Sequence, residues 1–119
     1  MRDRKGRRWF LATAAVFILG AAAWTVRAQS KQIFTGVITD SMCATGDHSH
    51  MQMGPNDAEC TKACVLEHGA TFMLSDGTSA YDLSDQAAAE KFAGQKVRVT
   101  GTLDAKSKTI HVESMAAAK

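Results

Sequence analysis

Hydrophobic and polar residues change their spacing several times along this chain. From Trp9 to Val26 almost every residue is apolar or small, and none is charged. After Gln29 the apolar residues come in short runs. Ile33 to Thr39 is rich in β-branched and aromatic side chains and predicts a first strand. Asp40 to Asp57 is polar, holds Gly46, Gly54, Pro55 and Asn56, and reads as a long loop. Ala58 to His68 predicts a short helix, capped by Asn56 or Asp57 and stopped by Gly69. Two short strands follow, Thr71 to Ser75 and Ser79 to Leu83. Asp76-Gly77 between them is a hairpin signal, because glycine takes positive φ without steric cost. Ser84 is placed to cap a second helix, Asp85 to Ala93, closed by Gly94. In the next segment Val97, Val99 and Gly101 alternate with Arg98 and Thr100, which predicts a fourth strand. Asp104 to Lys108 is a polar turn, Thr109 to Met115 a fifth strand, and Met115 to Lys119 a frayed tail.

This order predicts a mainly β domain of five strands. One helix lies between strands 3 and 4, and a loop-helix insert, residues 40–69, lies between strands 1 and 2. It is the order of an OB-fold barrel, in which the loop between the first two strands is one of those used for ligands. An open α+β sheet with the same elements is the rival. Phe72 and Tyr81 are expected in the barrel core and His111 on a strand face.

The first 28 residues are set apart by their pattern. Arg2, Arg4, Lys5, Arg7 and Arg8 precede the apolar run, and Val26-Arg27-Ala28 suits a cleavage site. Basic, apolar and small residues in that order make a secretory signal. Arg7-Arg8-Trp9-Phe10-Leu11 resembles the twin-arginine export motif. The expected division is a signal over residues 1–28 and one domain over 29–119, periplasmic or extracellular. The apolar run is near the lower length limit of a membrane span, so a retained anchor is the alternative.

Charge changes its meaning once that segment is set aside. The whole chain carries 14 basic and 12 acidic residues, a formal +2. Residues 29–119 keep 8 basic and 11 acidic residues, a net of −3. A weakly acidic domain with no basic run gives nucleic acid no electrostatic footing. A domain of roughly 90 residues also has a small core and gains from a staple or a metal.

The candidate chemistry is concentrated between Met42 and His68. That stretch holds Cys43, Cys60 and Cys64, the histidines His48, His50 and His68, and the methionines Met51 and Met53. Thiolate, imidazole and thioether are soft or borderline ligands suited to copper(I) or zinc. Cys60, Cys64 and His68 are spaced four apart, which sets them on one side of the predicted helix. Cys43, Cys60, Cys64 and one histidine would make a Cys3His zinc set. His48-Ser-His50-Met51-Gln52-Met53 is similar to the His- and Met-rich segments of exported copper-handling proteins. Asp40, Asp47 and Asp57 surround the cluster, as solvating charges or as hard ligands.

A disulfide is the competing reading, since an exported protein meets an oxidising compartment. Cys60 and Cys64 are poor partners within a helix, where their Cβ atoms lie about 6 Å apart, against about 3.8 Å in a disulfide. The bond would join Cys43 to Cys60 or Cys64. Such a staple typically adds about 2–4 kcal/mol. A thiol redox pair is the third reading. There is no C-x-x-C pair, no C-x-x-C-H, no phosphate loop and no H-E-x-x-H. Cys43 with His48 is the conceivable nucleophile pair, with no oxyanion donor to name beside it. The chain therefore reads as a binding protein more than an enzyme.

Three segments carry a family resemblance. Gly36-Val37-Ile38-Thr39-Asp40-Ser41-Met42-Cys43, with His48 or His50 after it, Asp57-Ala58-Glu59-Cys60-Thr61-Lys62-Ala63-Cys64-Val65, and Val97-Arg98-Val99-Thr100-Gly101-Thr102-Leu103-Asp104 resemble a family of small exported bacterial domains of unknown function. The resemblance implies export and an OB-like barrel, and it implies no activity. Three functions are expected from the whole. The first is an envelope protein binding a soft metal ion, copper or zinc. The second is a disulfide-stabilised module that binds a protein or small molecule, with a membrane partner only if the signal is kept as an anchor. The third is a thiol redox protein using Cys60 or Cys64.

Overall fold

The structure is a computed structural model that describes residues 29–49 and 53–119. The proposed export signal, residues 1–28, lies outside the described residues. In chain order the elements are β1 (Gln32–Asp40), α1 (Asp57–His68), β2 (Phe72–Ser75), β3 (Ala80–Leu83), α2 (Gln86–Lys91), β4 (Lys96–Asp104) and β5 (Thr109–Ala117).

The five strands form one sheet that closes on itself in a ring, in the order β1-β2-β3-β5-β4. Closure depends on β1 serving two neighbours. Its first part, Gln32 to Val37, pairs antiparallel with β4, and its last part, Val37 to Asp40, pairs antiparallel with β2. The seam between β3 and β5 is parallel and short, at Asp82–Thr109 and Leu83–Ile110. Ser84 reinforces it: its N–H donates to Ile110 and its Oγ accepts from the Val112 N–H at 2.8 Å.

Alternation along the strands decides which side chains fill the ring. Val97 and Val99 are fully buried, whereas Lys96 and Arg98 are exposed. Ile38, Leu74 and Ile110 complete the centre, each fully buried. Burial of such a side chain contributes about 1.5–3 kcal/mol. Phe72 joins this core, and Tyr81 packs beside it against Phe34, ring centroids 5.9 Å apart. His111 sits exposed on β5, opposite Thr102. Gly101 is where β4 and β5 shift register, and a Cβ there would lie 2.2 Å from the His111 carbonyl oxygen. No other residue fits so close an approach.

Two expectations are corrected. Asp85, not Ser84, caps α2, its carboxylate accepting from the Ala88 N–H, and the helix ends at Lys91 instead of Ala93. Ser84 is drawn into the β3–β5 seam, which leaves the next residue to cap. Met115 to Ala117 do not fray: they pair with Val99 to Val97. β4 is long enough to hold them, and Met115 packs against the core.

Between β2 and β3 the Asp76 carboxylate accepts from the N–H groups of Ser79 at 2.7 Å and Thr78 at 2.8 Å. Those two donors, Ser79 first, hold its pKa below the ordinary 3.8. The hairpin's gain is therefore complete above pH 3.8 and disappears as pH falls through the lower folded value. A carboxyl NMR titration should place the Asp76 midpoint below that of an unstructured aspartate; an equal or higher midpoint contradicts the assignment.

Candidate metal centre

The insert begins where β1 runs out of the sheet. Thr39 and Asp40, its last two residues, are both fully buried. The chain then turns sharply. The Asp40 Oδ1 accepts from the N–H groups of Met42 at 3.0 Å and Cys43 at 2.9 Å, and the Thr39 hydroxyl donates to the Cys43 carbonyl at 2.8 Å. This local network folds Cys43 back beside the carboxylate. The strand end is pinned on its other side by Ser41, whose N–H donates to Thr71 and whose Oγ accepts from the Thr71 N–H.

Helix α1 supplies the opposite wall. Asn56 caps it, accepting from the Glu59 N–H at 2.9 Å, and Gly69 ends it in the left-handed region at φ 69°. Its fully buried positions are Cys60, Thr61 and Cys64. A short helix in a small domain normally buries an aliphatic stripe. Here the fully buried residues carry sulfur and hydroxyl, and Val65 packs beside them against the core of the ring.

His48 bridges the two walls and is itself buried, 8% exposed. Its Nε2 lies 3.2 Å from Asp40 Oδ2 and 3.3 Å from Thr61 Oγ1, and its Nδ1 lies 3.3 Å from Asp57 Oδ1. Asn56 takes the cap, so the Asp57 carboxylate is left to reach His48. The ring thus stands between two carboxylates. An ionised carboxylate only accepts hydrogen bonds, and a neutral ring whose Nδ1–H faces Asp57 offers only a lone pair at Nε2. In the other tautomer Nε2–H donates to Asp40 and the ring bridges to the buried carboxylate directly; with Nδ1–H on Asp57, the Nε2 lone pair and Asp40 Oδ2 face one point, the arrangement a metal ion requires.

Donor atoms of Asp40, Cys43 and His48 all lie within 4.8 Å of one another, and all three residues are buried. Zinc bonds to N and O are about 2.0–2.2 Å long, so two ligands of a tetrahedral zinc ion sit about 3.4 Å apart. The Asp40–His48 separation of 3.2 Å is close to that span. Asp57 on the far ring nitrogen is then the outer carboxylate that orients a metal-binding histidine. A cleft of about 460 Å³ opens onto His48, with Asp47 and Asp57 in its walls. A cation entering there meets negative charge.

Cys43 and Cys64 are held as thiols. Burial is the main cause and the Asp40 charge the second; Cys60 adds to both, and Cys64 is pushed up to about 11. That direction is opposite to the one that activates a redox or nucleophilic cysteine. It suits a thiol that ionises only when a metal ion replaces its proton.

Of the candidate ligands, the structure gathers Cys43, His48, Met53, Cys60 and Cys64 into one neighbourhood. The Met53 N–H donates to Cys60 Sγ, and Met53 Sδ is 3.8 Å from Cys64 Sγ. His68 is not brought in: it is exposed at the last turn of α1. Eight residues on from Cys60, the helical phase has drifted by 80°, enough to leave the buried face. His50 and Met51 lie outside the described residues. Asp40 is the candidate ligand that soft-donor reasoning underrated. Its signal was present as the tight D-x2-C-x4-H spacing of Asp40, Cys43 and His48. Thr61, between the two helical cysteines, was missed.

The model of a protein family of unknown function, DUF5818, matches residues 64–118. The match covers β2 to β5 and the Val97–Asp104 segment and leaves out Asp40, Cys43, His48 and Cys60. No curated protein and no solved structure matches the chain. The similarity is therefore to a family of unknown function and carries no activity with it.

Proposed function

We propose that this chain is an exported, non-enzymatic protein of the cell envelope that binds a zinc-class divalent cation at Asp40, Cys43 and His48. The observation that carries the reading is the buried meeting of those three donors within 4.8 Å. Carboxylate, thiolate and imidazole together form a borderline set, which favours zinc over calcium or magnesium. A fourth position falls to water from the acidic cleft. The signal-like pattern of residues 1–28 supports placing the protein in the periplasm or outside the cell. The strand order, the parallel β3–β5 seam and the helix between β3 and β4 support an OB-fold-like barrel. The insert occupies the connection such barrels use for ligands.

The test is a zinc titration of the full chain with its thiols reduced, against a chelating competitor. Wild type should hold one zinc ion through this site. His48→Ala and Cys43→Ser should each weaken it by at least about tenfold, and His68→Ala should leave it unchanged. Failure of the wild type to compete, or equal binding by His48→Ala, would sink the reading.

A second reading has one observation in its favour: Cys43, Cys60 and Cys64 are all buried free thiols, Cys43 at the start of the insert and the other two on the inner face of α1. Oxidation of Cys43 with Cys60 or Cys64 by an envelope disulfide oxidant, which takes two electrons while the two thiols lose their two protons, would staple the insert to α1. The protein would then be the disulfide-stabilised interaction module. An intact mass two hydrogens below the reduced chain, with no zinc retained, distinguishes it.

A further inference from the structure

We propose that Met53, Cys60 and Cys64 form a second, sulfur-only site beside the first, fitted to copper(I). Cys60 and Cys64 stand one turn apart on the buried face of α1, 2% and 0% exposed. They share one buried cluster with Ala70, and Met53 packs against it. Met53, from the loop before α1, closes the group with its Sδ 3.8 Å from Cys64 Sγ. In a trigonal site with metal–sulfur bonds of about 2.3 Å, neighbouring sulfurs lie about 4.0 Å apart. The 3.8 Å between Met53 Sδ and Cys64 Sγ is close to that span.

The chemistry favours a soft monovalent ion. Two thiolates and a thioether offer no oxygen or nitrogen donor, and Ala70 and Val65 pack against them. Such donors select copper(I). Two thiolates around one copper(I) leave a single negative charge. The Met53 N–H donates to Cys60 Sγ at 3.4 Å, and N–H bonds to sulfur are one of the means by which proteins stabilise charge on metal-bound thiolates. Methionine against cysteine is also ordinary core filling. The Met53 N–H aimed at Cys60 Sγ is a contact that plain filling does not require. The two sites share no ligand, so this inference stands whether or not Asp40, Cys43 and His48 bind zinc.

The experiment supplies copper(I) anaerobically to the full, reduced chain in competition with a copper(I) chelator, and reads the bound ion by X-ray absorption. Wild type should retain copper in a shell of sulfur scatterers at about 2.3 Å. Met53→Leu conserves volume and should keep the circular dichroism of the wild type. It should lose at least about tenfold in copper affinity and bind zinc as before. His48→Ala should keep its copper. Three results would overturn the proposal: no copper retained by wild type, equal retention by Met53→Leu, or copper lost with His48→Ala, which would place it at the first site.

Discussion

Asp40→Ala is expected to destabilise the metal-free protein by about 3–5 kcal/mol, since it strips several polar groups of their buried partner at about 1–3 kcal/mol each. The carboxylate is fully buried and serves three groups at once: the N–H donors of Met42 and Cys43 and the ring of His48. Deletion leaves His48, itself buried, without its partner at Nε2 other than Thr61. A domain of this size has a total stability of about 5–13 kcal/mol, so the loss is a large part of the whole. Asp40→Asn separates the two roles of the side chain. Its amide oxygen can still accept from Met42 and Cys43, so most of the turn survives, while the negative charge and the anionic ligand are gone. Thermal melts should therefore rank wild type above Asp40→Asn and Asp40→Ala lowest, with zinc lost in both variants. Asp40→Ala melting with wild type would remove Asp40 from the role assigned to it.

The five strands of the ring were legible because their code is local. Alternation in Val97 to Gly101 marks a strand with one buried side, and Asp76-Gly77 marks a hairpin without reference to the rest of the chain. Asn56 and Gly69 frame α1 as their types predict. The misreadings arose where tertiary contact outweighs a local preference. Ser84 is a good cap, yet β5 claims its hydroxyl. Ala116 and Ala117 carry no strand signal, yet β4 offers them a ladder.

The site was legible in content and not in arrangement. Counting sulfur and imidazole placed the chemistry in the insert. Sequence alone could not say that the end of β1 delivers Asp40 into it, because the inward turn of that strand end depends on the closed sheet. Nor could it divide the soft donors into those on the inner face of α1 and His68 at its exposed end, a matter of helical phase across two turns.

Zinc at a hundred times its dissociation constant is expected to raise the melting temperature by about 10–20 °C. The arithmetic follows from linkage. A ligand that binds only the folded state at that excess stabilises it by about 2.7 kcal/mol, and each kcal/mol moves the midpoint of a domain this small by about 4–8 °C. The insert makes the effect cooperative with the fold. Asp40 belongs to β1, His48 to the loop and Thr61 to α1, so an ion held by Asp40, Cys43 and His48 ties β1 and the loop together, and the His48–Thr61 contact carries that order to the helix. Cys43→Ser should abolish most of the shift, because a serine hydroxyl does not surrender its proton to zinc as a thiol does. His68→Ala should shift as much as wild type. A zinc-dependent rise that persists in Cys43→Ser would mean the ion binds elsewhere, and a wild type insensitive to zinc but lowered by a disulfide reductant would make the staple, not the metal, the support of the insert.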